Sequence, residues 1–222
     1  MTTSLQFLQT DEIRVLASLI EKQIVTPEYY PLSLNALTNA CNQKTSREPL
    51  VSYDETTVMR ALDGLREKKL VRAVSGPDTR VAKYRQLFTE SANLTQAELA
   101  ILCVLMLRGP QTPGELRSRS ERLHNFETLA EVEKTLQRLV ERQPEPLVQQ
   151  LQRQAGTKES RFAHLLGGPV NEDELASAMK STAADARIDP ERILRLETEV
   201  ASLREILEAI KAEFTSFKKQ FE

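Results

Sequence analysis

Residues 55–87 read ETTVMRALDGLREKKLVRAVSGPDTRVAKYRQL, and this stretch decides the fold. Its first apolar residues recur at helical spacing: Val58, Ala61, Leu62 and Leu65. This spacing predicts a helix with one apolar face, opened by a capping box of Ser52 and Glu55 and ending near Lys69. Two β-type runs follow at 70–74 and 81–87, separated by the turn-forming residues 75–79, so we expect an antiparallel hairpin.

Two more helices precede this segment. The first is expected from Thr10 to near Pro27, and a short second helix contains Leu34, Leu37 and Ala40. Three helices followed by a hairpin in about 75–80 residues form the winged version of the helix-turn-helix fold.

The same order repeats later in the chain, which is the most informative feature of the sequence. Residues 12–16 (EIRVL) align with 98–102 (ELAIL), and Thr95 with Glu98 predicts a second capping box. The third helix of the repeat aligns through Val132, Leu136 and Leu139. A second hairpin is expected from two strands, 147–153 and 160–166, joined by a turn at 155–158, and Phe162 in its second strand matches Tyr84.

The predicted fold class is therefore mainly α with small β-hairpins, built as tandem winged helix-turn-helix domains plus a C-terminal coiled-coil helix. We place the first domain at 1–90, the second at 91–168, a tether at 169–188 and the C-terminal helix at 189–222. A short linker at 91–93 should hold the two domains in a fixed relative orientation.

The C-terminal segment carries an unbroken heptad pattern. Position a is occupied by Ile193, Val200, Leu207, Phe214 and Phe221, and position d by Leu196, Leu203, Ile210 and Phe217. Such a pattern predicts a parallel homodimer through this helix, with Leu196, Val200, Leu203, Leu207 and Ile210 at the interface. The alternative is an amphipathic helix that folds back on its own domains.

Composition limits the function classes. The 30 Lys and Arg against 32 Asp and Glu give a net charge of −2, which provides no global argument for nucleic acid. The apolar run that contains 100–107 is too short to span a bilayer, and no export signal is evident, so we expect a soluble cytoplasmic protein. Cys41 and Cys103 lie in apolar helical patterns, where cysteines are ordinarily buried hydrophobic residues.

Motifs of enzyme active sites are missing from the sequence. It holds no Gly-rich phosphate loop, GxSxG, HExxH or paired CxxC, and its two histidines, His124 and His164, fit structural positions. We expect no enzymatic activity, no cofactor and no metal.

A local basic region offers the candidate nucleic-acid interface. Residues 60–85 hold eight basic and three acidic residues, whereas 171–222 hold eight basic and twelve acidic residues. The third helix of the first domain exposes Asp63 and Glu67, which phosphates would repel. The third helix of the second domain and the two hairpins, or wings, are therefore the better candidates. The predicted DNA-binding residues are Arg60, Arg80, Lys83, Arg85, Lys134, Gln137, Arg138, Arg153, Lys158 and Arg161; the alternative is that these are simply solvated faces.

The connections between the first and second helices of each domain are rich in Pro, amide and Arg residues. We interpret Asn35, Gln43, Arg108 and Gln111 as candidates for an interface between the domains or with a partner, because rigid turns with such donors suit recognition. A plain structural turn is the alternative.

Several long runs resemble the YceH-like family of bacterial proteins. They are residues 26–27 (TP), 30–37 (YPLSLNAL), 40–44 (ACNQK), 80–84 (RVAKY), 107–117 (LRGPQTPGELR) and 159–165 (ESRFAHL). The resemblance covers roughly 10–166 and implies a tandem winged-helix architecture, a C-terminal coiled-coil-like helix and no assigned molecular function, so it contributes no functional residues.

Taken together, these features favour a dimeric protein that binds double-stranded DNA in a regulatory role. The alternative is a protein-protein interaction scaffold that uses its winged-helix faces without binding DNA, similar in architecture to the tandem winged-helix subunit of bacterial chromosome-condensing complexes. The near-neutral net charge and the acidic residues on the third helix of the first domain favour that alternative.

Overall fold

The computed structural model describes residues 7–74, 81–153, 159–170 and 211. Within them the chain is mainly helical with small antiparallel sheets, as expected. The chain divides into two compact units, Met1–Val170 and Asn171–Glu222. The turns at 75–79 and 155–158 and the heptad positions, including Leu196, Val200, Leu203, Leu207 and Ile210, lie outside the described residues.

The first half of the larger unit combines helices with short strands. In chain order they are α1 (Thr10–Val25), a 3-10 helix (Pro27–Tyr29), β1 (Leu32–Ser33), α2 (Leu34–Cys41), α3 (Glu55–Glu67), β2 (Val71–Val74) and β3 (Lys83–Gln86). The strands form one antiparallel sheet in the order β1-β3-β2, in which Leu32 pairs with Tyr84 and Ala73 with Tyr84 from the other side. Strand β1 has only two residues, too short for a period-2 pattern, so the sequence did not predict it.

The second half repeats this order. Its elements are α4 (Phe88–Ser91), α5 (Gln96–Arg108), α6 (Pro113–Ser120), α7 (Leu129–Val140), β4 (Val148–Gln150) and β5 (Phe162–His164). Strands β4 and β5 are antiparallel, and Gln111 forms a bridge with Phe162. This bridge corresponds to the pairing of Leu32 with Tyr84, since Phe162 aligns with Tyr84 and both bridges directly precede the second helix of their half.

The capping predictions have different outcomes. Thr95 and Glu98 form the expected capping box at the start of α5. The box of Ser52 and Glu55 is wrong, because the N-cap of α3 is Asp54, whose carboxylate accepts a 2.8 Å hydrogen bond from the backbone N–H of Thr57. Tyr53, the residue before this N-cap, explains the later start of the helix. The Asn42 side chain forms two 2.8 Å hydrogen bonds with the backbone N–H and C=O of Tyr53, so α3 begins only after Tyr53.

The segment 91–93, expected as a short linker, starts at the last residue of α4 and continues as a turn toward α5. Phe88 in α4 is fully buried, and Ala92 and Leu94 are buried beside it. These apolar side chains continue the core between the two halves, whereas Ser91 and Asn93 are exposed.

Helix α5 occupies the centre of the larger unit. Every residue from Leu99 to Leu107 is buried, as expected of a helix that is apolar on all sides. It packs on α1, where the Cys103 thiol lies 3.6 Å from the backbone oxygen of Ala17. Cys41 and Cys103 are both buried, as predicted. Among the described residues, no helix is long and apolar enough to cross a membrane.

Backbone hydrogen bonds also join the two halves. Leu8 donates to the carbonyl of Leu166 at 2.8 Å, and Glu48 donates to that of Leu107 at 2.8 Å. Each of these bonds connects a residue before position 50 with one after position 106, so the two repeats share one core and a common hydrogen-bonded boundary.

Within the first half, Glu12 ties α1 to α3. Its carboxylate accepts hydrogen bonds from the backbone N–H of Gln9 at 2.7 Å and from Lys68 Nζ at 2.5 Å. It lies so close to Gly64 that a Cβ there would overlap Glu12 Oε1. A glycine inside a helix ordinarily costs about 1 kcal/mol relative to alanine, and here it makes room for this carboxylate.

Candidate nucleic-acid interface

Helix α7 presents a polar face opposite a buried apolar one. Thr128 caps the helix, with its hydroxyl accepting from the Glu131 N–H at 3.3 Å, and Val132, Leu136 and Leu139 are buried. Because the helical period is 3.6 residues, Lys134, Gln137 and Arg138 then lie on the exposed side, as predicted.

Two cations on this face are unpaired. Lys134 and Arg138 are one helical turn apart and exposed, and within the described part of the chain neither has an ion-pair or hydrogen-bond partner. Gln137 between them donates to the Glu141 carboxylate at 2.5 Å. Two exposed cations without partners in the described part of the chain could bind phosphates, and an amide between them could form hydrogen bonds with base edges.

The strands contribute fewer candidates than expected. Arg153 is exposed after β4 and Lys83 is half-buried on β3, and neither forms an ion pair among the described residues. Arg80 and Lys158 lie outside the described residues.

Three of the predicted DNA-binding arginines are engaged by carboxylates. Arg60 bonds Asp11 at 3.0 Å and Arg85 bonds Glu90 at 2.5 Å, which compensates the charge of both guanidinium groups. Arg161 bonds Glu115 at 2.8 Å and the carbonyl of Pro110 at 2.9 Å. Arg161 therefore connects the strand β5 region to the start of α6, a structural position.

The Glu115 carboxyl reflects this arrangement. Burial alone would raise its pKa, but the hydrogen bond from the Thr112 backbone N–H and the guanidinium of Arg161 together hold the pKa below its ordinary value. Glu115 thus stays ionised at neutral pH and remains the partner of Arg161.

The interface candidates lie on both sides of the boundary between the halves. Arg108 donates to the Ser46 hydroxyl at 2.8 Å, so the connection after α5 meets the connection between α2 and α3, and not the turn at 27–31. Gln43 accepts from Arg47 at 3.2 Å within the first half. Asn35 lies 3.5 Å from Glu55 at the N-terminal end of α3.

Gln111 is 2% exposed and is bonded within the second half. Its side chain donates to the carbonyl of Arg108 at 3.1 Å and accepts from Arg119, a residue that the sequence did not single out. Nothing in the local sequence distinguishes Arg119 from an arginine on the solvent-exposed face of a helix, so the sequence could not identify it.

His164 lies on β5 with its Nδ1 atom buried and without a hydrogen-bond partner in the described part of the chain. Burial lowers the pKa of this imidazole to about 4. The unfolded chain, with a His pKa near 6.5, therefore takes up the proton first as pH falls.

The free energy of unfolding should decrease as pH falls below about 6.5, and His164 alone should account for at most about 2 kcal/mol between pH 7.5 and pH 5. Urea unfolding at both pH values would measure it, with the H164F variant as the control that lacks the titrating group. An equal pH dependence in wild type and H164F would contradict this assignment.

These features define the class of the protein: a mainly helical chain built from two similar halves, each with a small antiparallel sheet. A family model described as "Protein of unknown function, DUF480" matches residues 8–157, and the chain belongs to this family. The resemblance to an uncharacterised bacterial family is thereby confirmed.

Relatives with high identity span the chain. A "UPF0502 protein" of Pelobacter propionicus is 52% identical over 217 residues, covering 97% of this chain and 98% of the relative. Another from Opitutus terrae is 53% identical over 200 residues, covering 90% of this chain and 84% of the relative. A third, from Geobacter sulfurreducens, is 49% identical over 214 residues, covering 95% of this chain and 96% of the relative.

Proposed function

We propose that this chain is a tandem winged-helix protein that binds double-stranded DNA through its second domain, in a regulatory role. The element order of the first half supports the winged-helix interpretation, since a short strand precedes the second helix and the sheet order is β1-β3-β2. The bridge of Gln111 with Phe162 supports the same arrangement in the second half.

The observation that carries the DNA proposal is the exposed pair of cations on α7 that has no ion-pair partner among the described residues. Lys134 and Arg138 would neutralise phosphates, and Gln137 between them would reach base edges when the helix lies in the major groove. Arg153, exposed after β4, extends the basic surface toward the second hairpin. Arg161 leaves the proposal because its guanidinium binds both Glu115 and the carbonyl of Pro110. Arg60 and Arg85 have a smaller part in it, because each already pairs with a carboxylate at the surface.

The experiment is a duplex-DNA titration followed by fluorescence anisotropy at about 50 mM salt, where phosphate contacts are strong. The K134A/R138A variant should bind at least about tenfold more weakly, because a charge-assisted hydrogen bond contributes roughly 1.5–3 kcal/mol. Arg161 stays unchanged in this variant, since removing it would break the bonds to Glu115 and Pro110.

The matched control is K44A/R66A, which removes the same charge from exposed positions of the first domain. Its affinity should stay within about twofold of wild type if binding depends on α7 and not on total charge. An equal reduction of affinity in both variants would contradict the placement on α7.

The second candidate function is a protein-protein scaffold, favoured by one specific observation. The face of α3 that corresponds to the polar face of α7 exposes Asp63 and Glu67, and its cation Arg60 is paired with Asp11. A surface of this charge suits a basic protein partner more than a phosphate backbone. Absence of DNA binding at low salt would leave the scaffold as the function of both domains.

The proposals on assembly and location rest on the sequence alone. The heptad pattern from 193 to 221 favours a homodimer, and the composition favours a cytoplasmic protein. A homodimer would present two copies of α7, which suits a DNA site with two half-sites.

A further inference from the structure

A shallow groove lies between the start of α2 and the exposed face of α3. Its lining residues are Leu34, Glu55, Thr56, Met59, Arg60 and Asp63. Leu34 and Met59 are half-buried and supply an apolar patch, and the Tyr84 hydroxyl lies 3.7 Å from the Met59 sulfur beneath it. The groove thus combines an apolar centre with carboxylates along its rim.

The charges at the rim are mainly negative. Among the described residues Glu55 has no cation partner and accepts only a long, 3.5 Å hydrogen bond from the Asn35 amide. Arg60, the cation in the lining, is already paired with Asp11 at 3.0 Å. Asp63 is paired with Arg66 at 3.1 Å, but both side chains are more than half exposed, so solvent screens this pair and a competing cation can replace it.

We propose that this groove binds a basic, amphipathic segment of a protein partner. An apolar side chain of the segment would cover Leu34 and Met59, while its Lys or Arg side chains would approach Glu55 and Asp63. This inference rests on the scaffold candidate, which it supplies with a partner class, and does not depend on DNA binding by α7.

Charge argues against two other occupants. A DNA backbone would be repelled by Glu55, which has no cation partner among the described residues, and by the weakly paired Asp63. The chain's own segment 171–222 holds twelve acidic against eight basic residues, so it is negative as well. A basic segment is the occupant whose charge complements the groove.

The test uses the full chain and three short fluorescein-labelled peptides with identical leucine positions and Lys, Gln or Glu at every polar position. The Lys peptide should bind saturably, more weakly as salt rises, and should shift the backbone amide resonances of Leu34 and Thr56. The E55Q/D63N variant should bind it about fivefold or more weakly, as expected for two partly exposed charge pairs.

The control variant is E121Q/E127Q, which removes two exposed carboxylates from the second domain and should stay within about twofold of wild type. Equal binding of the Lys and Glu peptides, no saturable binding of the Lys peptide, or unchanged affinity in E55Q/D63N would overturn the proposal. A drop in molar mass caused by E55Q/D63N would overturn it too, because a second copy would then fill the groove.

The wild-type chain is titrated with both the Lys peptide and duplex DNA to separate the two proposals. Lys-peptide binding without DNA binding would support the groove and remove the DNA proposal. DNA binding without Lys-peptide binding would do the reverse.

Discussion

Replacing Arg47 with alanine is expected to lower the free energy of unfolding by about 3–5 kcal/mol, as found when one partner of a buried ion pair is removed. The Arg47 side chain is fully buried, and its guanidinium holds both carboxylate oxygens of Glu21 at 3.0 and 2.6 Å. It also donates to the carbonyl of Ala40 at 2.9 Å and that of Ser46 at 3.0 Å.

The size of this effect follows from what the substitution leaves behind. Without Arg47, the largely buried Glu21 carboxylate loses its bidentate partner and keeps only Lys22, whose Nζ lies 3.8 Å away, and the carbonyl of Ala40 at the end of α2 loses its guanidinium donor. The loop before α3, which contains Ser46, the partner of Arg108, would be released from its anchor as well. Urea unfolding monitored by far-UV circular dichroism measures the change.

The control for Arg47 is Arg66→Ala. Arg66 also pairs with a carboxylate, that of Asp63 at 3.1 Å, but both side chains are exposed. This variant should change the free energy of unfolding by less than about 1 kcal/mol. An Arg47→Ala variant no less stable than Arg66→Ala would show that the buried network contributes nothing to folding.

Replacing Leu136 with alanine should lower the free energy of unfolding by about 2–5 kcal/mol, because the side chain is 1% exposed in the core beneath α7. The control is Leu129→Ala on the same helix, which is 38% exposed and should cost less than about 1 kcal/mol.

The shared core adds a second expectation to Leu136→Ala. Since α1 packs on α5, with the Cys103 thiol 3.6 Å from the Ala17 oxygen, both halves should unfold in one transition. Hydrogen exchange of amides in α1 and α3 should therefore accelerate together with that of amides in α7. Unchanged protection of α1 and α3 in this variant would show that the halves unfold independently.

Local patterns in the sequence were sufficient for the helices and the hairpins. The apolar spacing of Val58, Leu62 and Leu65 predicted α3, and its repeat at Val132, Leu136 and Leu139 predicted α7. These segments are predictable because a helix that buries one face must repeat its apolar residues at the helical period.

Long-range pairing was not predictable in the same way. Arg60 and Asp11 are 49 residues apart, and Arg161 and Glu115 are 46 apart, so nothing in the local sequence marks these arginines as paired. The sequence therefore assigned them to a DNA interface, whereas Lys134 and Arg138 have the same local appearance and are unpaired among the described residues. Only the folded chain distinguishes a cation with a partner from one without.

Buried polar residues were missed for a related reason. Arg47 lies in the polar stretch 42–48, where no local pattern marks one residue as buried, yet its bonds to Glu21 and Ala40 allow it to be buried. Gln111 was assigned to an interface by its neighbouring prolines, but its strand-like bridge to Phe162 places it inside the second half.

DNA binding by α7 should show a characteristic dependence on salt concentration. The logarithm of the association constant should fall linearly with the logarithm of salt concentration. The slope of K134A/R138A should be smaller in magnitude than that of wild type by about 1.8, or about 0.9 for each phosphate that the variant no longer neutralises. The K44A/R66A slope should match wild type. Absence of wild-type binding at low salt, or identical slopes for wild type and K134A/R138A, would contradict the proposal that α7 binds DNA.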